Sequence, residues 1–185
     1  MLKGQDVILL ILLRLRSEVE WTYGSLSQAL GISASQCHLA VSRLQKTNLL
    51  AEHADRQWQV SGTNFEEYMI HALKYDFPGE VGPVVRGIPT VHSVNFVARN
   101  FLKHEQLPNI TNDYVWPDPE GTLKGNSVKP IHTCQLKLCK NQGNLTLGYA
   151  TDIYDFLVCV DLIRIGQARE KKWAEEQIRE RSWKS

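Results

Sequence analysis

An excess of charge of one sign is missing from this chain: 21 lysines and arginines face 20 aspartates and glutamates over 185 residues, a formal net charge of +1. A global electrostatic pull on a polyanion is therefore excluded, and any surface for one must arise from local clustering. Cysteine is scarce. Cys37, Cys134, Cys139 and Cys159 form no CxxC pair, and with no secretory signal a reducing cytoplasm with free thiols is expected. His132, Cys134 and Cys139 lie close in sequence, but their spacing fits no common zinc module and a fourth ligand is missing, so no metal and no cofactor are expected. Long apolar runs are lacking too. The longest, Val7 to Leu13 (VILLILL), is far short of the roughly 20 residues that span a bilayer. Arg14, Arg16, Glu18 and Glu20 follow it without a small-residue cleavage site, which argues against a signal peptide and for a buried helix, with no membrane partner. Being apolar on every side, that helix needs cover from the second half of the chain or from a second copy. Also missing are a glycine-rich phosphate loop, HExxH, a nucleophile elbow and triad spacing. Asp118 and Glu120 share a loop without a base-like partner, which reads as a hydrophilic turn, and no enzyme is expected.

What is present is a globular composition, 43% hydrophobic and 22% charged, and one well-marked motif. A short helix from Ser25 to Leu30 puts Leu26, Ala29 and Leu30 on one face. Gly31 ends it, as a residue that tolerates the left-handed conformation. Ile32 plugs the turn. Ser33 then caps a second helix, with Gln36 completing a capping box. In that helix Cys37, Ala40, Val41 and Leu44 recur with the period of a buried stripe. The other face carries Ser35, Gln36, His38, Ser42, Arg43 and Lys46, short polar or cationic groups suited to a major groove.

Gln5 to Arg16 reads as a preceding helix. Leu49 to His53 and Gln57 to Val60 alternate apolar and polar residues around Ala54-Asp55-Arg56, the pattern of a short hairpin with Arg56 and Gln57 near its tip. Over about residues 3–62 this order resembles the winged-helix transcriptional regulators of bacteria, loosely the MarR and Lrp groups. The resemblance implies double-stranded DNA as partner, with Ser33, Ser35, Gln36, His38, Leu39, Ser42, Arg43, Lys46, Arg56 and Gln57 as contacts. Leu39 stands where many such regulators carry arginine or a polar residue. It cannot donate a hydrogen bond to guanine, though it can touch a thymine methyl. Residues 1–60 hold six basic and five acidic side chains, so phosphate contacts fall chiefly to Arg43, Lys46 and Arg56.

No proline precedes Pro78 or follows Pro130, a sharp change of texture. Before it, Ser61 to Asn64 caps a helix from Phe65 to about Tyr75. Phe77 to Thr90 (FPGEVGPVVRGIPT) and Trp116 to Gly125 (WPDPEGTLKG) read as long loops, with a short helix capped by Ser93 between them. Arg86, Trp116 and Glu120 on these loops are candidates for a ligand or partner site. FPGE…RGIPT and WPDPEGT resemble uncharacterised bacterial helix-turn-helix proteins, some of them antitoxin-like. Ile153 to Arg164 predicts an amphipathic helix ended by Gly166. Gln167 to Trp183 predicts a charged helix whose Ala168, Trp173, Ala174 and Ile178 could serve dimerisation.

The expected fold is mainly α with a small β wing: a winged helix-turn-helix at 1–62, a loop-rich α region at 63–150, and C-terminal helices at 151–185. The expected function is a DNA-binding transcriptional regulator, a repressor, that reads operator DNA as a homodimer through Ala34–Thr47. The alternative is an antitoxin or defence-system accessory protein whose winged helix binds a protein partner encoded nearby.

Overall fold

Seven consecutive apolar residues are stable in water only when every side of their helix is covered. In the computed structural model, which describes residues 1–52, 58–102, 113–140 and 150–182, that helix is α1 (Gly4–Leu15). Gly4 to Leu13 are buried, and Val7 to Ile11 have no exposed surface. Their cover comes from α3 (Ala34–Lys46), β2 (Trp58–Val60), α7 (Cys134–Lys140) and α8 (Ala150–Ile165). The second half of the chain, expected as one of two possible covers, supplies α7 and α8, and the first third adds α3 and β2. At Gly4 a Cβ would collide with the Ile131 carbonyl, so glycine permits the segment before α7 to cross the head of α1. One apolar cluster runs from Leu2 to Ile178, joining all three sequence regions. No helix among the described residues is long and apolar enough to cross a membrane.

The chain is mainly helical. After α1 come α2 (Tyr23–Leu30), α3, and an antiparallel pair of β1 (Leu50–Glu52) with β2, in register Leu50↔Val60. Asn48, at φ 57°, turns the chain out of α3 in the left-handed region that asparagine tolerates. The Asn48 and Leu49 amides donate back to the Gln45 and Leu44 carbonyls, closing the helix end. Ser61 caps α4 (Gly62–Glu67), which passes through a π turn (Tyr68–Ala72) into α5 (Leu73–Asp76).

The two segments read as loops are instead largely strands. β3 (Val81–Thr90) pairs antiparallel with both β4 (Tyr114–Pro117) and β5 (Leu123–Val128), which pair parallel with each other. Three strands close on themselves only if their backbones nearly touch, and glycine allows it. A Cβ on Gly87 would strike the Trp116 carbonyl, and one on Gly121 would strike Gly87 itself. Pro83 falls where the β3–β5 register shifts, so its missing N–H interrupts little of the ladder. The residues that read as loop punctuation are those the closure requires.

A polar hub docks this sheet onto α8. Asp161, 1% exposed, accepts from Trp116 Nε1 (2.5 Å), Thr90 Oγ1 (3.0 Å) and Arg164 Nη1 (2.6 Å). Arg164 also donates to the Phe77, Pro78 and Lys129 carbonyls. The Tyr154 hydroxyl donates to the Pro89 carbonyl at 2.7 Å. Between Thr90 and His92, fully buried Val91 has φ 54°, a strained value for a β-branched residue. That turn sends Thr90 toward Asp161 and His92 toward Glu170, where Nδ1 lies 3.1 Å from Oε1. Ser93 ties down β4 by accepting from the Tyr114 amide, and α6 begins beyond it at Asn95.

α9 (Ala168–Ser182) folds back on the chain. Ala174 and Ile178 are fully buried and Arg179 pairs with Glu66 at 3.0 Å. Its apolar side is thus used within the chain, leaving little of it for pairing two copies. Ala168 is exposed, Trp173 is half-buried against Phe96, and Trp183 lies outside the described residues.

Candidate nucleic-acid interface

Local chemistry builds the α2–α3 turn much as the sequence implies. Thr22 caps α2 by accepting from the Ser25 amide at 3.1 Å, and Gly31 leaves the helix at φ 69°. Ser33 Oγ accepts from the Gln36 amide at 3.2 Å, while Gln36 Oε1 accepts from the Ser33 amide at 2.9 Å. The Ser27 hydroxyl donates to the Ile32 carbonyl, stapling the turn. A distant contact completes it: Lys137 Nζ on α7 donates to the Gln28 carbonyl at 3.0 Å, a cation at the end of α2 where the helix dipole is negative.

Cys37, Ala40, Val41 and Leu44 face the core. Ser33, Ser35, Gln36, His38, Leu39 and Lys46 are exposed and Ser42 is half-buried, so these candidates share one accessible face. Leu39 is 55% exposed, on a helix whose other large apolar side chains, Val41 and Leu44, are buried. With Tyr23, Ala34, Ser35 and His38 it lines a shallow open groove. The Tyr23 ring lies 5.3 Å from His38 and 4.9 Å from Trp58, centroid to centroid, which fixes the start of α2 against α3 and β2. Arg56 and Gln57 lie outside the described residues.

Two candidates are already committed within the fold. Gln36 holds the cap with its Oε1. Arg43 clamps Asp6 through Nε and Nη2, both at 2.6 Å, and Asp6 is wholly buried at the head of α1. Hydrogen bonding to Asp6 raises the Arg43 pKa further, against a smaller desolvation effect. Asp6 also accepts from the Lys3 amide at 2.8 Å. The clamp fixes how far α3 stands from α1, and it engages the guanidinium fork expected to meet phosphate. Asp6 was missed in the sequence reading. Its signal was available: a lone carboxylate in the first turn of an otherwise apolar helix needs a cation.

Only part of the second candidate set is accessible. Trp116 is fully buried, its indole turned to Asp161 and its ring edge-on to Tyr154 at 5.7 Å, so it is a core residue and not a ligand contact. Arg86 is exposed, within 3.5 Å of the Gly121 carbonyl. Glu120 is exposed and pairs with Lys140, which also holds buried Asp118 at 2.7 Å. Burial pushes the Cys134 and Cys139 thiols up to about 12, which keeps them protonated at neutral pH.

Burial also pushes the His132 imidazole below its ordinary value, with Asp6 opposing, and does the same at His92 beside Glu170. A histidine kept neutral in the fold but free to protonate when unfolded favours the unfolded chain as pH falls. Stability should therefore decline as pH drops from about 7 toward 5.5, starting near the ordinary histidine value of about 6.5. In urea melts across that window, His132→Gln with His92→Gln should flatten the decline. An unchanged slope in the double variant would assign it to other groups.

Comparison with protein-family models, with curated proteins and with solved structures returned no match to this chain.

Proposed function

We propose that this chain is a DNA-binding transcriptional regulator, a winged helix-turn-helix protein that reads duplex DNA with α3. The observation that carries this is the division of labour on α3. One side is buried and clamped to α1, the start is capped, and the far side projects Ser35, Leu39, Ser42 and Lys46, with His38 beside the Tyr23 ring. Three helices followed by the β1–β2 pair are what a winged helix-turn-helix requires. A single reader helix spans few base pairs, so a homodimer on two half-sites is the working form proposed. Repression and a cytoplasmic setting belong to the same proposal.

The supporting experiment is selection of duplexes from a random-sequence pool, then fluorescence anisotropy at several salt concentrations and light scattering of the complex. Lys46→Ala should weaken all duplexes alike and lower the salt slope by about 1. His38→Ala should cost about 1–3 kcal/mol on selected duplexes and relax base preference. Undiminished binding by a His38, Leu39, Ser42 and Lys46 quadruple alanine variant would remove α3 as the reader.

One observation favours the second reading, an antitoxin-like or accessory protein whose α3 face binds a protein. The exposed Leu39 beside Tyr23 and Ala34 gives that face an apolar centre, with Lys46 its exposed cation among the described residues. Selection that recovers no preferred duplex would shift the assignment that way.

A further inference from the structure

The longest polar side chains of α3 are Gln36, Arg43, Gln45 and Lys46. Two of them are held by the fold. Gln36 Oε1 accepts from the Ser33 amide, and both Nε and Nη2 of Arg43 are bonded to Asp6. Bidentate hydrogen bonding is the usual means by which glutamine specifies adenine and arginine specifies guanine. A Gln36 whose acceptor closes the cap, and an Arg43 whose fork grips Asp6, cannot present those pairs without dismantling the cap or the clamp. Gln45 and Lys46 lie in the last turn of the helix, away from the capped end that enters a major groove first. What remains at that end is Ala34, Ser35, His38 and Leu39, and its largest apolar group is a leucine 55% exposed to solvent.

From this we infer that α3 selects sequence chiefly through shape and apolar contact, with Leu39, supported by Ala34, receiving the C5 methyl groups of thymine. This rests on the DNA-binding reading of α3 given above and narrows it to a substrate class, thymine-bearing steps in the major groove. The thymine methyl is the one apolar group that a base pair presents there. Leu39 and Ala34 line an open groove with Tyr23, Ser35 and His38, wide enough to leave the leucine uncovered by its own chain. Lys46 on the same helix supplies a cation for the flanking phosphate, so the apolar centre is paired with charge suited to a duplex.

The first arm of the test changes only the DNA, and the second changes only Leu39. Duplexes selected by the wild-type protein from a random pool are resynthesised with deoxyuridine replacing thymidine, which deletes only the methyl. Each contacted methyl should be worth about fourfold in affinity, the equivalent of burying one carbon. Leu39→Ala should bind the thymidine duplex more weakly and show no difference between thymidine and deoxyuridine. Leu39 is exposed, so the variant should melt like the wild type. Equal wild-type affinity for both duplexes overturns the inference while leaving DNA binding by α3 in place. A deoxyuridine effect that persists in Leu39→Ala overturns the assignment to Leu39. A change in oligomeric mass in Leu39→Ala would make it a contact between copies, and also overturns it. Failure of the pool to yield any preferred duplex overturns the reading of α3 itself, and this inference with it.

Discussion

Asp161→Ala should destabilise the protein by about 3–5 kcal/mol, the range for breaking a buried ion pair by removing one partner. The carboxylate is 1% exposed and carries three donors from three different elements: Thr90 ending β3, Trp116 in β4 and Arg164 in α8. Removing it leaves the Arg164 guanidinium buried without its counter-charge, and the Trp116 indole N–H without an acceptor. Arg164→Ala should cost at least as much, because three backbone carbonyls lose their donor as well. Asp161→Asn keeps the shape and part of the acceptor capacity and should be milder. Combining Asp161→Leu with Arg164→Met should cost less than the sum of the two single changes, since neither charge is then stranded. Urea melts followed by tryptophan fluorescence measure all of these, with Trp116 inside the affected hub. A loss below about 1 kcal/mol for Asp161→Ala would mean that apolar packing alone docks the sheet, since single surface-like changes stay in that range.

The second large effect concerns Arg43, where two roles predict opposite readouts. As a clamp, its loss strands the Asp6 carboxylate beneath α3. Arg43→Ala should then cost about 2–4 kcal/mol, less than for a wholly buried pair because the Arg43 side chain is 22% exposed. Asp6→Ala should be of similar size, since it frees the same guanidinium and also uncaps the Lys3 amide. As a phosphate contact, Arg43→Ala would instead leave stability nearly unchanged and lower the salt slope of DNA binding by about 1. The clamp predicts an altered melt and an unaltered slope. A lowered slope with an unaltered melt would restore Arg43 to the DNA surface and make its contact with Asp6 incidental.

These two sites mark where the sequence could and could not be read. The α2–α3 turn was readable because its signals are local: Ser33 and Gln36 sit three residues apart, and Gly31 lies one residue past its helix. The apolar stripe of α3 follows from its periodicity; the two C-terminal helices form where expected, but α8 is not amphipathic, since Phe156 to Arg164 are buried on every side between the sheet, α1 and α9. The Asp6–Arg43 clamp joins residues 37 apart: the lone carboxylate of α1 calls for a cation, but nothing near it says which one. The three-stranded sheet was hidden for a different reason. Gly87 and Gly121 are there because backbones touch, yet in isolation glycine beside proline reads as a break. Trp116, flanked by Pro117 and Asp118, looked like a loop aromatic, and only the position of Asp161 shows why it points inward. Of the candidate interface, the capped start of α3 and its outer face were foreseen. That Gln36 and Arg43 are taken up by the fold was not.

The wrapping of α1 bears on how the protein is made. Its seven apolar residues are translated well before α8, which helps to cover them. At synthesis rates of roughly 5–20 residues per second the interval is on the order of ten seconds. Throughout it α3 and β2 can shield part of the VILLILL segment, but the side that α8 covers stays bare. Slower translation of the middle region lengthens that interval. Elongation speed therefore sets how long that side of α1 stays open to other contacts.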